Sequence, residues 1–310
     1  MKNEPEIAII GTGAIGSFYG GKLSQTGAHV SVVCRSDYDI IKQKGIQIKS
    51  TLGNFHFMPH EVVRALDELP FNPDIIIVTT KVLPEIDTIS SIGKKISSET
   101  AILLLQNGIG IEEPISNAFP NNELLSGLAF ICVSRIEYGK IEHIDYGRLI
   151  LGKYPEGNSD KVELLKDLFQ KSGINCEITD DIISARWKKL LWNVPFNPIS
   201  VLTGGSDTSE IMSSPAAVEL INNIMKEVAF LAKKTGHPLS ETAIEHNLRD
   251  TAKMIPYKTS MLLDYENKRP MEVDAILGNV LKIAKRMDIK TPYIENIYGL
   301  LTVLNEKNLN

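Results

Sequence analysis

Lys189, Asn193 and Asn197 recur four residues apart in the stretch WKKLLWNVPFNP, residues 187–198. On a helix that spacing sets one cation and two amides in a single row. Such a row offers positive charge to an anionic group, and neutral donors and acceptors to a hydroxyl or carbonyl. Beside it Trp187, Leu190, Leu191 and Val194 fall at i, i+3, i+4 and i+7, an apolar stripe that faces a core. The same residues also read as the solvated flank of a helix that frays at its prolines. Asn is a poor helix former, and Pro195 removes a backbone donor and crowds the preceding turn. From this stretch alone both readings stand.

A second chemistry-bearing stretch lies near the N-terminus. GTGAIG, residues 11–16, follows the apolar run EIAII and opens a helical segment. That strand–turn–helix context marks a dinucleotide-binding turn. Gly11 permits the tight turn, Gly13 lets the backbone approach a pyrophosphate, and Gly16 lets the helix pack on the strand. Gly11, Thr12, Gly13, Ala14, Ile15 and Gly16 are therefore the expected cofactor-binding turn, with the phosphates at the helix N-terminus. At the end of the next strand, HVSVVCR, stands Arg35, with Asp37 two residues on. A cation there suits the 2′-phosphate of NADP(H), where an acid would take the ribose hydroxyl of NAD. Lys81 closes DIIIVTTK and Asn107 follows AILLLQ, each at an expected strand end on the ligand-binding side of an open sheet. Taken singly they read equally as a solvated lysine and an Asn-Gly turn.

Strands alternating with helices over the first half predict an α/β fold, an N-terminal Rossmann-type doubly wound sheet. Helices are expected near 37–44, 84–97 and 159–172, with short antiparallel strands and glycine turns over 124–152 and a strand at CEIT. From Asp181 the pattern is helical, broken at Thr203–Ser206, Gly236–Pro238 and Lys268–Pro270. The expected division is 1–180, an NADP-binding Rossmann-like domain, and 181–310, an all-α substrate and catalytic domain.

The chain has 310 residues, 43% hydrophobic and 23% charged, with net charge −5. That acidic balance gives nucleic acid and anionic membranes nothing to bind. No apolar run reaches the roughly 20 residues of a membrane span. The N-terminus enters a strand with no signal peptide, so a cytoplasmic protein is expected. Three cysteines form no CxxC pair, and six histidines show no HExxH-like spacing, so no metal is expected.

Taken together, GTGAIG, VTTK (78–81), QNGIG (106–110), WKKLLWNVPFNP, TSML (259–262) and KRPMEVD (268–274) resemble the ketopantoate reductases over nearly the whole chain. The family is an NADPH-dependent reductase of pantothenate biosynthesis, with a Rossmann domain and a helical C-terminal domain. The resemblance implies Lys189 as general acid of ketone reduction and Glu272 as the second catalytic residue, also touching the cofactor. It implies Asn193, Asn197 and Ser260 as substrate binders. Lys81 and Asn107 are implied at the nicotinamide end, Asn107 also at the substrate, and Arg35 at the 2′-phosphate. The partner is then a small 2-oxo acid, and a homodimer is compatible with the family. Pro195 lies outside the family's core pattern, which bears on the local helix geometry. Two alternatives remain: a related NADP-dependent reductase of another 2-oxo acid, and a non-catalytic NADP(H) sensor on the same fold.

Overall fold

The computed structural model describes residues 4–93 and 96–309. The chain forms two compact units. The first holds the chain up to Gln106 and again from Glu112 to Ile182, and the second holds Asn107–Ile111 and the chain from Ile183 onward. The boundary expected after residue 180 thus falls at Ile182, and residues 107–111 belong with the helical unit. Their placement has a packing cause: Ile109 is buried in that unit's apolar core.

The first unit is a ten-stranded sheet. Its strands are β1 Glu6–Ile10, β2 His29–Val33, β3 Ile46–Ser50, β4 Phe55–Phe57, β5 Val62–Val63, β6 Ile75–Val78, β7 Ala101–Leu104, β8 Leu124–Glu137, β9 Lys140–Lys153 and β10 Cys176–Ile178. They run in the order β4-β3-β9-β8-β7-β6-β1-β2-β5, with β10 beside β9. From β8 to β5 every pairing is parallel. The runs IAII, IIIV and AILL are buried throughout, as parallel strands covered on both faces must be.

Helices α1 (Ala14–Ser24), α2 (Tyr38–Lys44), α3 (Thr88–Ile92), α4 (Glu112–Ala118) and α5 (Asp160–Lys171) complete this unit. Packing holds α1 in place. Phe18, Tyr19 and Leu23 are buried, and a methyl group on Gly16 would sit 2.1 Å from the Gly11 carbonyl oxygen.

Three details differ from the sequence expectation. The helix expected over 84–97 is the short α3, because Asp87 caps it through the Ser90 amide at 3.0 Å and Gly93 ends it at φ +83°. Residues 94–95 of that expected helix lie outside the described residues. The short strands expected over 124–152 are two 14-residue strands joined at Tyr138–Gly139. Gly147 and Gly152, which read as turns, lie inside these strands, as does Gly127. Gly127 and Gly152 stand where a side chain would strike Leu105 and Leu151, or the Thr179 carbonyl. Strands β6 and β7 also end earlier than expected, at Val78 and Leu104, so Lys81 and Asn107 each stand three residues past a strand.

The second unit is helical: α6 Ile182–Leu202, α7 Thr208–Met212, α8 Pro215–Lys234, α9 Ala243–Lys253, α10 Ser260–Glu266, α11 Asn279–Arg286 and α12 Pro292–Leu309. The three expected breaks fall in its loops. At the centre is α6, with Trp187, Leu190, Leu191 and Val194 buried as one stripe. The helix does not fray at Pro195 and Pro198, both of which lie inside it. Lacking N–H groups, they leave the Leu191 and Val194 carbonyls without helical partners. Burial of every residue from Val194 to Val201 holds the segment helical despite that cost. No helix among the described residues is long and apolar enough to cross a membrane.

Gly16→Ala is expected to lose about 1–3 kcal/mol of stability by overpacking against the Gly11 carbonyl. A urea midpoint equal to the parent's would contradict this packing.

Candidate functional site

In the second unit the site is built around one amide. Lys189 Nζ donates to Asn107 Oδ1 at 3.0 Å, and Asn107 Nδ2 donates to Glu272 Oε2 at 3.1 Å. Residues 107–111 carry little regular structure, yet they are tightly held. Arg186 Nη1 donates to the Gly108 carbonyl at 3.0 Å, and Asn279 Nδ2 donates to the Ile109 carbonyl at 2.8 Å. Gly108 takes φ +101°, and a side chain there would meet the Ala275 carbonyl oxygen at 2.4 Å. Only glycine serves both demands.

Glu272 is fixed from both sides. Met271 and Val273 are buried, and the Met271 amide donates to Asn305 Oδ1 at 3.1 Å. A π-helical turn, Asp274–Gly278, follows, tied by Tyr298 Oη to Asp274 Oδ1 at 2.8 Å. Single π turns of this kind recur at functional sites. Arg269, a sequence-adjacent candidate partner for Glu272, donates to Asp264 at 3.0 Å instead.

Of the two adjacent lysines, Lys188 is exposed and Lys189 is largely enclosed, with only part of its side chain reachable. Burial lowers the Lys189 ammonium from its usual 10.5 to about 7. The charge of Arg186 adds to the fall and Glu272 opposes it. Arg186 is itself 1% exposed. It lies one helical turn before Lys189, and sequence reading missed it. Its only sequence signal is a third cation at i−3 from Lys189.

The amide row continues along α6. Asn193 and Asn197 are 8% and 2% exposed, one and two helical turns beyond Lys189 on the same face. Ser260 joins the row indirectly. Its neighbour Thr259 caps α10 and bonds Ser200 Oγ at 2.7 Å, and Ser200 Oγ donates to the Asn197 carbonyl at 2.8 Å. The Ser260 residue itself is exposed.

In the first unit the glycine turn has the shape of a phosphate cradle. Gly11 has φ +99°, and its amide donates to the Val33 carbonyl at 3.0 Å. A methyl group on Gly13 would meet nothing within 4 Å, and no side chain caps α1, so the start of that helix is open. Ala14 and Ile15 form its first turn. Thr12 points inward and donates to Asp37 Oδ2 at 2.7 Å, so its backbone alone remains for a ligand. That bond also resolves the role of Asp37. At 3% exposure, with Arg135 Nη1 at 3.7 Å, it braces the turn.

Arg35 is exposed past the end of β2. Sequence reading missed a second cation there. β5 pairs with β2 in the register Val33↔Val63, which brings Arg64 beside the same strand end. Its guanidinium donates to the Arg35 carbonyl at 3.3 Å and lies 4.1 Å from the Tyr38 ring centre, with Asp39 at 3.6 Å. A two-residue strand gives no readable alternation, so Arg64 could not be placed from sequence. Lys81 is half-buried, next to Thr80, whose carbonyl accepts from Gln106 Nε2 at 2.7 Å.

Comparisons with known proteins place the chain in a family. Residues 7–156 match the family Ketopantoate reductase PanE/ApbA, and residues 181–305 match its C-terminal domain. A 2-dehydropantoate 2-reductase from Nostoc sp. is 35% identical over 99% of this chain and 97% of its own. The crystal structure of 2-dehydropantoate 2-reductase from Methylococcus capsulatus superposes with TM-score 0.93 at 45% identity, covering 98% of each chain. That from Geobacter metallireducens gives TM-score 0.89 at 33% identity, covering 96% of this chain and 98% of the other. D-mandelate dehydrogenase with NADH and anilino(oxo)acetate gives TM-score 0.89 at 24% identity over 97% and 99%, a likeness of fold.

Because Lys189 titrates near 7 when folded and near 10.5 when unfolded, the unfolded chain holds the extra proton between those values. This contribution to stability rises with pH across that window and is lost as pH falls through it. The stability of Lys189→Met relative to the parent is therefore expected to decline as pH rises from 7 to 10.5. Urea unfolding at several pH values checks this, and a difference independent of pH would contradict it.

Proposed function

The chain belongs to the ketopantoate reductase family, and on that premise we propose that it reduces 2-dehydropantoate to (R)-pantoate with NADPH, in pantothenate and so coenzyme A formation. The observation that carries this reading is the Lys189–Asn107–Glu272 arrangement. A bound reduced nicotinamide supplies a hydride to C2 of the 2-oxo acid.

Lys189 stabilises the negative charge that grows on the ketone oxygen and gives that oxygen its proton. A group titrating near 7 holds its proton in the ground state and releases it readily. Glu272, acting through Asn107, orients the ammonium and offsets part of the loss of its charge. Asn193 and Asn197 hold the substrate's hydroxyl without adding charge, and Ser260 holds its carboxylate. The glycine turn Gly11–Gly16 receives the pyrophosphate. Lys81, Asn107 and Glu272 serve the nicotinamide end.

Arg35 and Arg64 hold the 2′-phosphate as two forks at one strand end. Withdrawal of Asp37 into its bond with Thr12 supports NADP(H) over NAD(H). A cytoplasmic enzyme is the accompanying reading. The exposed Phe230 on α8 and Leu300 and Val303 on α12 support a homodimer.

Following NADPH oxidation with 2-dehydropantoate, beside NADH and a panel of 2-oxo acids, tests the reading. Fast turnover with NADPH and 2-dehydropantoate is expected. Turnover with another 2-oxo acid alone would replace the substrate, and tight NADPH binding without turnover would make the protein a sensor.

Lys189→Ala is expected to lower kcat roughly 10²–10⁴-fold with the fold intact. In the parent, the rate of reduction is expected to fall as pH rises through about 7, because the protonated lysine is the active form. Near-normal turnover in the variant, or a flat profile, would contradict the role.

Arg35→Ala and Arg64→Ala should each weaken NADPH binding about tenfold or more, as loss of a charged hydrogen bond does, and leave NADH binding unchanged. Equal losses for both cofactors would contradict the clamp.

A further inference from the structure

At the other end of the first unit's sheet from the glycine turn, three potential metal ligands meet. Parallel pairing of β1 and β2 sets Glu6 and His29 in register. The His60 amide donates to the Val30 carbonyl at 2.8 Å, which brings His60 alongside. His29 Nδ1 and Glu6 Oε1 are 2.9 Å apart, and the two imidazole rings stack at 4.6 Å between centres. One donor atom from each of the three residues lies within 4.8 Å of the others. The second Glu6 oxygen, Oε2, is buried without a hydrogen-bond partner among the described residues. Such an oxygen is costly unless a proton donor or a cation satisfies it. The surroundings are acidic as well: Glu4 Oε2 lies 3.4 Å from His29 Nε2, and Asp74 Oδ2 accepts the Glu6 amide at 2.9 Å.

We propose that Glu6, His29 and His60 bind one divalent transition-metal ion of the zinc class. Two imidazoles and a carboxylate suit zinc, nickel or copper, whereas magnesium and calcium prefer all-oxygen shells. Three protein ligands leave a fourth tetrahedral position to water. Glu6 and His29 are already positioned by strand register. Zinc–ligand bonds of about 2.0–2.2 Å set tetrahedral donors roughly 3.3–3.6 Å apart, so His29 and Glu6, at 2.9 Å, part slightly to admit the ion. The exposed His60 ring closes the site by turning out of its stack on His29. The ion takes the place of the proton shared by His29 and Glu6 and satisfies Glu6 Oε2. It joins β1, β2 and the segment entering β5, so bound metal raises the stability of this sheet edge. No sequence spacing points to the site, because strand pairing alone assembles it. It is also independent of the reductase reading.

Isothermal titration of the untagged, chelator-treated full chain with zinc chloride tests the proposal, with magnesium chloride in parallel. The expected result is one zinc ion per chain at micromolar affinity, no magnesium binding, and a thermal midpoint raised by zinc. His60→Ala, an exposed position whose replacement leaves the fold intact, should weaken zinc binding more than about tenfold, since even outer partners of metal ligands are worth 10–100-fold. It should also abolish the zinc-dependent rise in midpoint. The absence of stoichiometric zinc binding, equal binding of magnesium, or zinc affinity unchanged in His60→Ala would each overturn the site.

Discussion

One neutral amide, that of Asn107, stands between the ammonium of Lys189 and the carboxylate of Glu272. The Glu272 charge favours the ammonium, and burial and the neighbouring Arg186 outweigh it, bringing the lysine down to about 7. The rest of the second unit holds that amide still. Gly108 fits against Ala275, Arg186 and Asn279 grip two successive carbonyls, and Ile109 anchors the segment in the core. A buried arginine and a buried lysine on adjacent turns of α6 oppose stability. Two prolines within one helix do so as well. The helix nonetheless forms around all four, held by the burial of its apolar stripe.

The first unit follows a related logic with its acids. An acid near the end of β2 would ordinarily compete for a ribose hydroxyl. Here Asp37 is drawn into the protein by Thr12 and Arg135, where it braces the glycine turn. The exposed charges left at the strand end include two arginines, one from each of two paired strands. Strand register, rather than any local motif, puts Arg64 beside Arg35.

What could be read from sequence was what depends on neighbours along the chain. The strand–turn–helix context of GTGAIG, the helical row of Lys189, Asn193 and Asn197, and the three loop breaks of the helical half all have local signals. Relations made across the chain had none. Gly152 inside the long β8–β9 pair looked like a turn, because the Thr179 carbonyl packed against it lies 27 residues along the chain. A two-residue strand left Arg64 without a position. Residues 107–111 read as part of the α/β half, yet their partners Arg186, Ala275 and Asn279 come from the helical half. The cluster of Glu6, His29 and His60 is likewise a product of register. The prolines of α6 misled for a different reason: propensity argues for fraying, and complete burial overrides it.

The proposed proton donor, Lys189, is held near neutrality by its surroundings. The most direct measurement is a nuclear magnetic resonance titration of its side-chain nitrogen in protein labelled at lysine, with Lys189→Arg assigning the signal. The expected midpoint is near 7 and moves upward in Arg186→Met, where the neighbouring charge is gone. A midpoint close to the usual lysine value, unmoved by Arg186→Met, would contradict it.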